Sequence, residues 1–183
     1  MNEVKITVKI VESCGVVAEY GSEKIYSMTC VSPRISGVED KVIVNYSSEL
    51  SEELKEGFVE ITGTIRRKSS TTYIFAQSIE VLSEEPSVYT NEIHIIGEVA
   101  KPPRFRKTTK SELSITDVCV KVMRNSVKYD IIMCLAWNKY AHIAKDLKVG
   151  DKVELNGRVQ SRTFENGDTI TEVSCMNIEK VEE

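Results

Sequence analysis

Arg158, Gln160, Arg162 and Phe164 occupy every second position of one run. In an extended chain alternate side chains leave the same face. If the run is a straight strand, these four form one exposed row of cation, amide, cation and aromatic ring, while Val153, Leu155, Gly157 and Val159 on the other parity face a core. Guanidinium groups pair with phosphate oxygens and an open ring face stacks flat partners, so such a row suits one nucleic-acid strand, whose phosphates and unpaired bases it can engage together. The competing reading is an ordinary solvated strand face, on which a Phe beside two Arg is unusual.

Other residues fit the same chemistry. The segment KPPRFRKTTK, 101–110, carries five cations: Lys101, Arg104, Arg106, Lys107 and Lys110. Lys121 and Arg124 are further candidates for phosphate contact. Trp137, the sole tryptophan, closes the apolar run IIMCLA; taken alone, a Trp in that position reads as core. A smaller set, Arg66, Arg67, Lys68 and Tyr73, lies in the first half. Catalytic chemistry is not in view: there is no Ser/His/Asp arrangement, no glycine loop shaped to cradle phosphate and no pair of carboxylates in a plausible cleft. The five cysteines contain no CxxC, and His94 and His142 have no Cys or carboxylate at ligand spacing, which predicts buried reduced thiols, no metal site and no cofactor.

The elements that position these residues repeat. LKEGFVEITGTI, 54–65, and LKVGDKVELNGRV, 147–159, match at Leu54, Lys55 and Gly57 against Leu147, Lys148 and Gly150, and Gly63 matches Gly157 with one residue inserted. Each half opens on a strand-like run (KITVKI, EIHIIGEV) and closes on another (SIEVL, NIEKV). Period-two runs predict strands near 4–11, 24–31, 41–46, 58–68 and 73–82, then near 92–99, 115–124, 128–137, 151–164 and 168–181. A short helix is expected between the third and fourth strands of each half, over 47–57 and 138–150. In the second, Tyr140, Ile143 and Leu147 fall at helical spacing, and Gly57 and Gly150 stand where a left-handed cap would end each helix. The order implies an all-β chain of two tandem OB-folds, five-stranded Greek-key barrels, each with one short helix between strands three and four. The domains are 1–85 and 89–183, and the join around SEEPSVYTN is polar. In the first strand Ile6, Val8 and Ile10 share one face, either to fill a barrel core or to serve self-association.

Charge divides the halves. Residues 1–88 hold 9 basic and 14 acidic residues, net −5; residues 89–183 hold 15 and 14, net +1, within a chain of net −4. The second half is the one that can attract a polyanion.

The second half, Asn91 to Val181, resembles the DNA-binding domain of bacterial single-stranded DNA-binding proteins. The resemblance is carried by NEIHIIGEVAKPPRFR, with its strand, Gly, Lys-x-Pro turn and Arg; by IIMCLAWNKYAHIAKDLKVGDKVELNGRV, with its apolar strand, aromatic, helix and Gly-bearing strand; and by QSRTFENGDTITEVSC, with its Arg-x-aromatic hairpin. It implies that Trp137 stacks on a base, that 101–110 is the loop between strands one and two that touches the oligonucleotide, and that Phe105 takes an apolar packing position. It also implies a non-catalytic protein of replication, recombination or repair that binds single-stranded DNA, with RNA left open, and a homo-oligomer, dimer or tetramer; since family members gather four such barrels, a dimer of this two-barrel chain supplies them. Three departures temper this. Asn125 and Ser126 stand where the family has an aromatic, the hairpin RNSVK is short, and the family's acidic tip is not found before Glu183. An adaptor of the replication-restart machinery, working mainly through protein contacts, is therefore the alternative. No signal peptide or membrane span is read in the sequence, and the expected compartment is the cytoplasm.

Overall fold

The computed structural model describes residues 1–182. These contain eleven strands and one short helix: β1 (Asn2–Tyr20), β2 (Glu23–Pro33), β3 (Glu39–Ser47), β4 (Gly57–Lys68), β5 (Thr71–Leu82), β6 (Asn91–Val99), β7 (Arg104–Lys107), β8 (Ser114–Met123), β9 (Tyr129–Trp137), α1 (Lys139–Ala144), β10 (Lys152–Thr163) and β11 (Thr169–Lys180). The chain packs as two compact units. One comprises Met1–Asn2, Ile93–Val159 and Glu172–Glu183; the other comprises Glu3–Glu92 and Gln160–Thr171.

The unit built on the first half is a closed barrel in the order β1-β2-β3-β5-β4 and back to β1. β1 achieves closure by serving two partners: its first part pairs with β4 (Val4↔Gly63 to Ile10↔Gly57) and its later part with β2 (Lys9↔Val31 to Tyr20↔Glu23). Register shifts at Ile10/Glu12, Ser13/Gly15 and Val16/Ala18 bend the strand between them. Those bulges break the alternation beyond Val11, which is why the sequence shows a strand of only 4–11 where the structure has one reaching Tyr20. Ile6, Val8 and Ile10 are buried and fill this barrel, so of the two uses open to that face the core one holds.

The second-half unit closes in the order β6-β10-β11-β9-β8 and back to β6, with β7 added on the outer edge of β8. Val153, Leu155, Gly157 and Val159 face its core as the alternation predicts. The parallel pairing of β9 with β11 and of β3 with β5 completes the same Greek-key path in both, and both units are OB-folds. Burial of each core Ile, Leu or Val is worth about 1.5–3 kcal/mol.

Two expectations about the connection after strand three need correcting. No helix forms in 47–57. Glu49, Glu52, Glu53 and Glu56 would stand three and four apart on one helix and repel, and the loop has another use for its backbone: the buried Tyr46 hydroxyl accepts the Leu54 N–H at 2.7 Å and donates to the Glu52 carbonyl at 3.4 Å. In the second half α1 forms, but it is seated by Ala141 and Ala144, both fully buried, with Leu147 beyond it, while Ile143 is exposed. The buried Thr116 hydroxyl donates to the Ala141 carbonyl at 2.7 Å and ties the helix to β8. Gly57 and Gly150 do take positive φ, 104° and 93°, as turns leading into β4 and β10 rather than as helix caps.

The repeated pair Gly63 and Gly157 has a steric reason. A Cβ on Gly63 would overlap the Phe75 carbonyl of β5, and one on Gly157 would overlap the Ser174 carbonyl of β11. Each glycine lets the fourth strand lie against the fifth at backbone contact. Gly157→Ala is expected to cost about 1–3 kcal/mol, read as a lower urea midpoint at unchanged slope. Ser87→Ala, exposed in the join, should stay within about 0.5 kcal/mol.

Candidate nucleic-acid interface

In the second-half unit the register of β7, β8 and β9 decides which candidates share a face. Residues directly opposite in an antiparallel pair point to the same side. β8 pairs with β9 as Ile115↔Trp137, Asp117↔Leu135, Cys119↔Met133, Lys121↔Ile131 and Met123↔Tyr129. The alternate positions, among them Val118, Val120, Ile132 and Cys134, are fully buried in the barrel, so the first set is the outer face, although Ile115 and Leu135 on it are themselves buried. β7 extends it by Arg106↔Ile115 and Arg104↔Asp117. Arg104, Arg106, Lys121 and Trp137 therefore lie on one surface.

That surface has an aromatic at each end. Trp137 is half-buried at one end and Tyr129, more than half exposed, stands at the other. Eight residues of strand separate them, about 26 Å at ~3.3 Å per residue. The Lys121 ammonium lies 5.1 Å from the centre of the Tyr129 ring, an arrangement that keeps a cation beside a stacking face. Half-buried Ile131 and Met133 fill the floor between. Tyr129 was not singled out in the sequence, where it sits in a polar run beside the short hairpin; its alternation with Ile131, Met133 and Trp137 was the available signal.

The segment 101–110 is a loop only in part. Arg104–Lys107 forms β7, which the sequence reading missed because RFRK lacks apolar alternation. Cations suit such an edge, which they protect from pairing with another chain. Arg106 is held by both Asp117 carboxylate oxygens, at 3.2 and 3.3 Å. Lys101, Arg104, Lys107 and Lys110 are exposed. Phe105 points to the opposite side from Arg106 and packs on the His142 ring at 5.3 Å between centres, with Lys145 5.6 Å from its own ring centre.

Arg124 is exposed on the hairpin but paired. Its guanidinium meets both carboxylate oxygens of Asp130, whose side chain is 1% exposed. Asn125 closes the same hairpin by accepting the Val127 and Lys128 N–H groups at 3.0 and 2.8 Å. This turn chemistry fills the place of the longer family loop.

The row on β10 divides. Arg158 is half-buried on the second-half unit. Gln160 is 4% exposed, so the single exposed row does not form as expected. The strand does not run straight into solvent there: Gln160–Thr171 packs with the first-half barrel. In that unit Arg162 is half-buried and lies 5.7 Å from the ring centre of Phe164, which is 46% exposed. The Phe164 backbone closes the hairpin through its N–H to Asp168 and its carbonyl to Gly167, at 2.8 and 2.9 Å. The same unit carries Arg66 across β4–β5 from Tyr73, with its guanidinium 4.0 Å from the Phe75 ring centre, and Arg67, whose Nε donates to the Ser69 carbonyl.

The thiols are set apart from this chemistry. Cys30, Cys134 and Cys175 are buried free cysteines. Burial pushes the Cys30 thiol up to about 12, and the hydrogen bond between Cys134 and Cys175, followed by burial, raises the Cys134 thiol. Among the described residues, no helix is long and apolar enough to cross a membrane.

Known proteins agree with this architecture. The chain is similar to Single-stranded DNA-binding protein 3 of Listeria innocua, 27% identical over half of this chain and 64% of that protein, and to the Single-stranded DNA-binding protein of Halalkalibacterium halodurans, 25% identical over half of this chain and 61% of that one. The matched region thus spans less than two thirds of those relatives. The fold is similar over the whole chain to crystal structures of the Thermus aquaticus single-stranded DNA binding protein: the wild type at TM-score 0.79 and 17% identity, covering 94% of that chain, and a deletion mutant at 0.78 and 18%, covering 95%. The model of the Single-strand binding protein family matches residues 90–181, just over half of the sequence, and the chain belongs to that family.

Proposed function

We propose that this protein is a non-catalytic single-stranded DNA-binding protein of replication, recombination or repair, working in the cytoplasm. The observation that carries this reading is the β7–β9 face, where Trp137 and Tyr129 offer stacking surfaces and Arg104, Arg106 and Lys121 stand among them. Stacking is worth about 1–3 kcal/mol per base and tolerates any base, so binding without sequence preference follows. Lys101, Lys107 and Lys110 add phosphate contacts beside β7; Arg158 on the same unit and Arg162 and Phe164 on the other are further candidate contacts, while the buried Gln160 is not. A duplex keeps its bases stacked inside and cannot use the aromatic residues. Four barrels around one strand would come from a homodimer of this chain.

The first test is a titration with oligo(dT) and with a duplex of equal length at two salt concentrations. Single strands are expected to bind well above duplex, with log K falling against log salt at about −0.7 per phosphate neutralised, roughly −3.5 for five contacts. Trp137 emission should quench on saturation with oligo(dT); an unchanged spectrum would show that the Trp is not stacked. Equal affinity for both forms overturns the reading. Arg124→Ala gives the contrast: by exposing the buried Asp130 charge it is expected to cost about 2–4 kcal/mol of stability while moving oligo(dT) affinity less than twofold.

A further inference from the structure

Asp40 is a fully buried carboxylate in the first-half unit. Two of its hydrogen bonds come from Arg34, Nε at 2.7 Å and Nη2 at 2.6 Å, in the bidentate geometry that compensates a buried charge. The third comes from far along the sequence: the Ser161 N–H donates to Asp40 Oδ1 at 2.7 Å. Ser161 spends its other polar groups at the same place. Its hydroxyl oxygen accepts the Lys41 N–H at 2.7 Å, and its carbonyl accepts Arg34 Nη2 at 3.4 Å. On the returning leg of the hairpin the Thr171 hydroxyl donates to the Lys41 carbonyl at 3.4 Å. Both legs of 161–171 are therefore gripped at Asp40–Lys41.

We propose that Asp40, with Arg34, is a positioning residue for nucleic-acid binding: it fixes the hairpin that presents Arg162 and Phe164, one and three residues beyond Ser161. The inference rests on the function proposed above and gives the acidic first half a part in it without requiring that barrel to hold the strand by its own charge. A hairpin free to swing would lose conformational freedom each time Phe164 met a base; one already fixed by a buried carboxylate loses little, and binding is tighter by that difference. Clasp and ring should then be energetically coupled although Asp40 itself is buried away from any ligand.

The test is a double-mutant cycle in the full chain with oligo(dT) as the probe. Phe164→Ala is expected to weaken binding about tenfold. Asp40→Asn and Ser161→Ala should each weaken it several-fold, and Phe164→Ala should add little in either background. Ser161→Thr, which keeps the hydroxyl, should bind as the unaltered protein does. Without DNA, amide exchange over 162–170 should quicken in Asp40→Asn and Ser161→Ala. If Asp40→Asn fails to fold by circular dichroism, Ser161→Pro decides, since it removes the N–H that Asp40 accepts and leaves the Arg34–Asp40 pair in place. Folded clasp variants that bind normally, or a full Phe164→Ala penalty in them, overturn this proposal alone. Failure of the unaltered protein to bind oligo(dT) overturns the function on which it rests.

Discussion

Everything on the surface of these barrels depends on two backbones being able to touch. The fourth strand of each barrel pairs along the fifth, and in this chain Gly63 and Gly157 leave out the Cβ that would overlap a carbonyl of β5 or β11. Closure pairs the strands all round. It also pins the register, and register alone sets Arg106, Ile115 and Trp137 in one line and Phe105 on the opposite side. The chemistry proposed for the outer face is thus a consequence of packing at a point the ligand need never reach.

The two barrels share this plan and differ in what they place on it. On β8–β9 the outward positions include Tyr129, Trp137 and Lys121, beside the basic β7. The corresponding outward positions of β2–β3 are Ser27 opposite Asn45 and Thr29 opposite Ile43, with no aromatic residue. Together with net −5 against +1, this supports the proposed placing of strand binding on the β7–β9 face. What the first barrel contributes instead is a buried carboxylate that grips hairpin 160–171.

Most of this was legible where one residue type has one physical use. Alternating Val, Ile and Leu marked the strands, the repeated glycines marked the backbone contacts, and Phe105 was placed in packing by its family position. Legibility failed where a distant partner decides. Nothing near Gln160 shows that the strand there packs with residues 120 positions earlier, and nothing near Asp40 announces Ser161. Arg124 reads as a free cation until Asp130 is found six residues on, buried and facing it. The helix expected over 47–57 failed for a local reason that was present in the sequence, four Glu at repelling spacing, and for a non-local one that was not, the Tyr46 hydroxyl that takes up the loop backbone. β7 was hidden because an edge strand of Arg and Lys carries no hydrophobic period.

The central claim is that a single strand lies on the outer face of β7–β9. Photo-cross-linking with oligo(dT) carrying 5-bromodeoxyuridine, followed by peptide mapping, tests it most directly. The account predicts adducts at Trp137 and Tyr129, with a further one at Phe164, all competed away by unlabelled oligo(dT) and absent with duplex. Adducts concentrated in β2 and β3 of the first barrel, with Trp137 and Tyr129 unmodified, would contradict it.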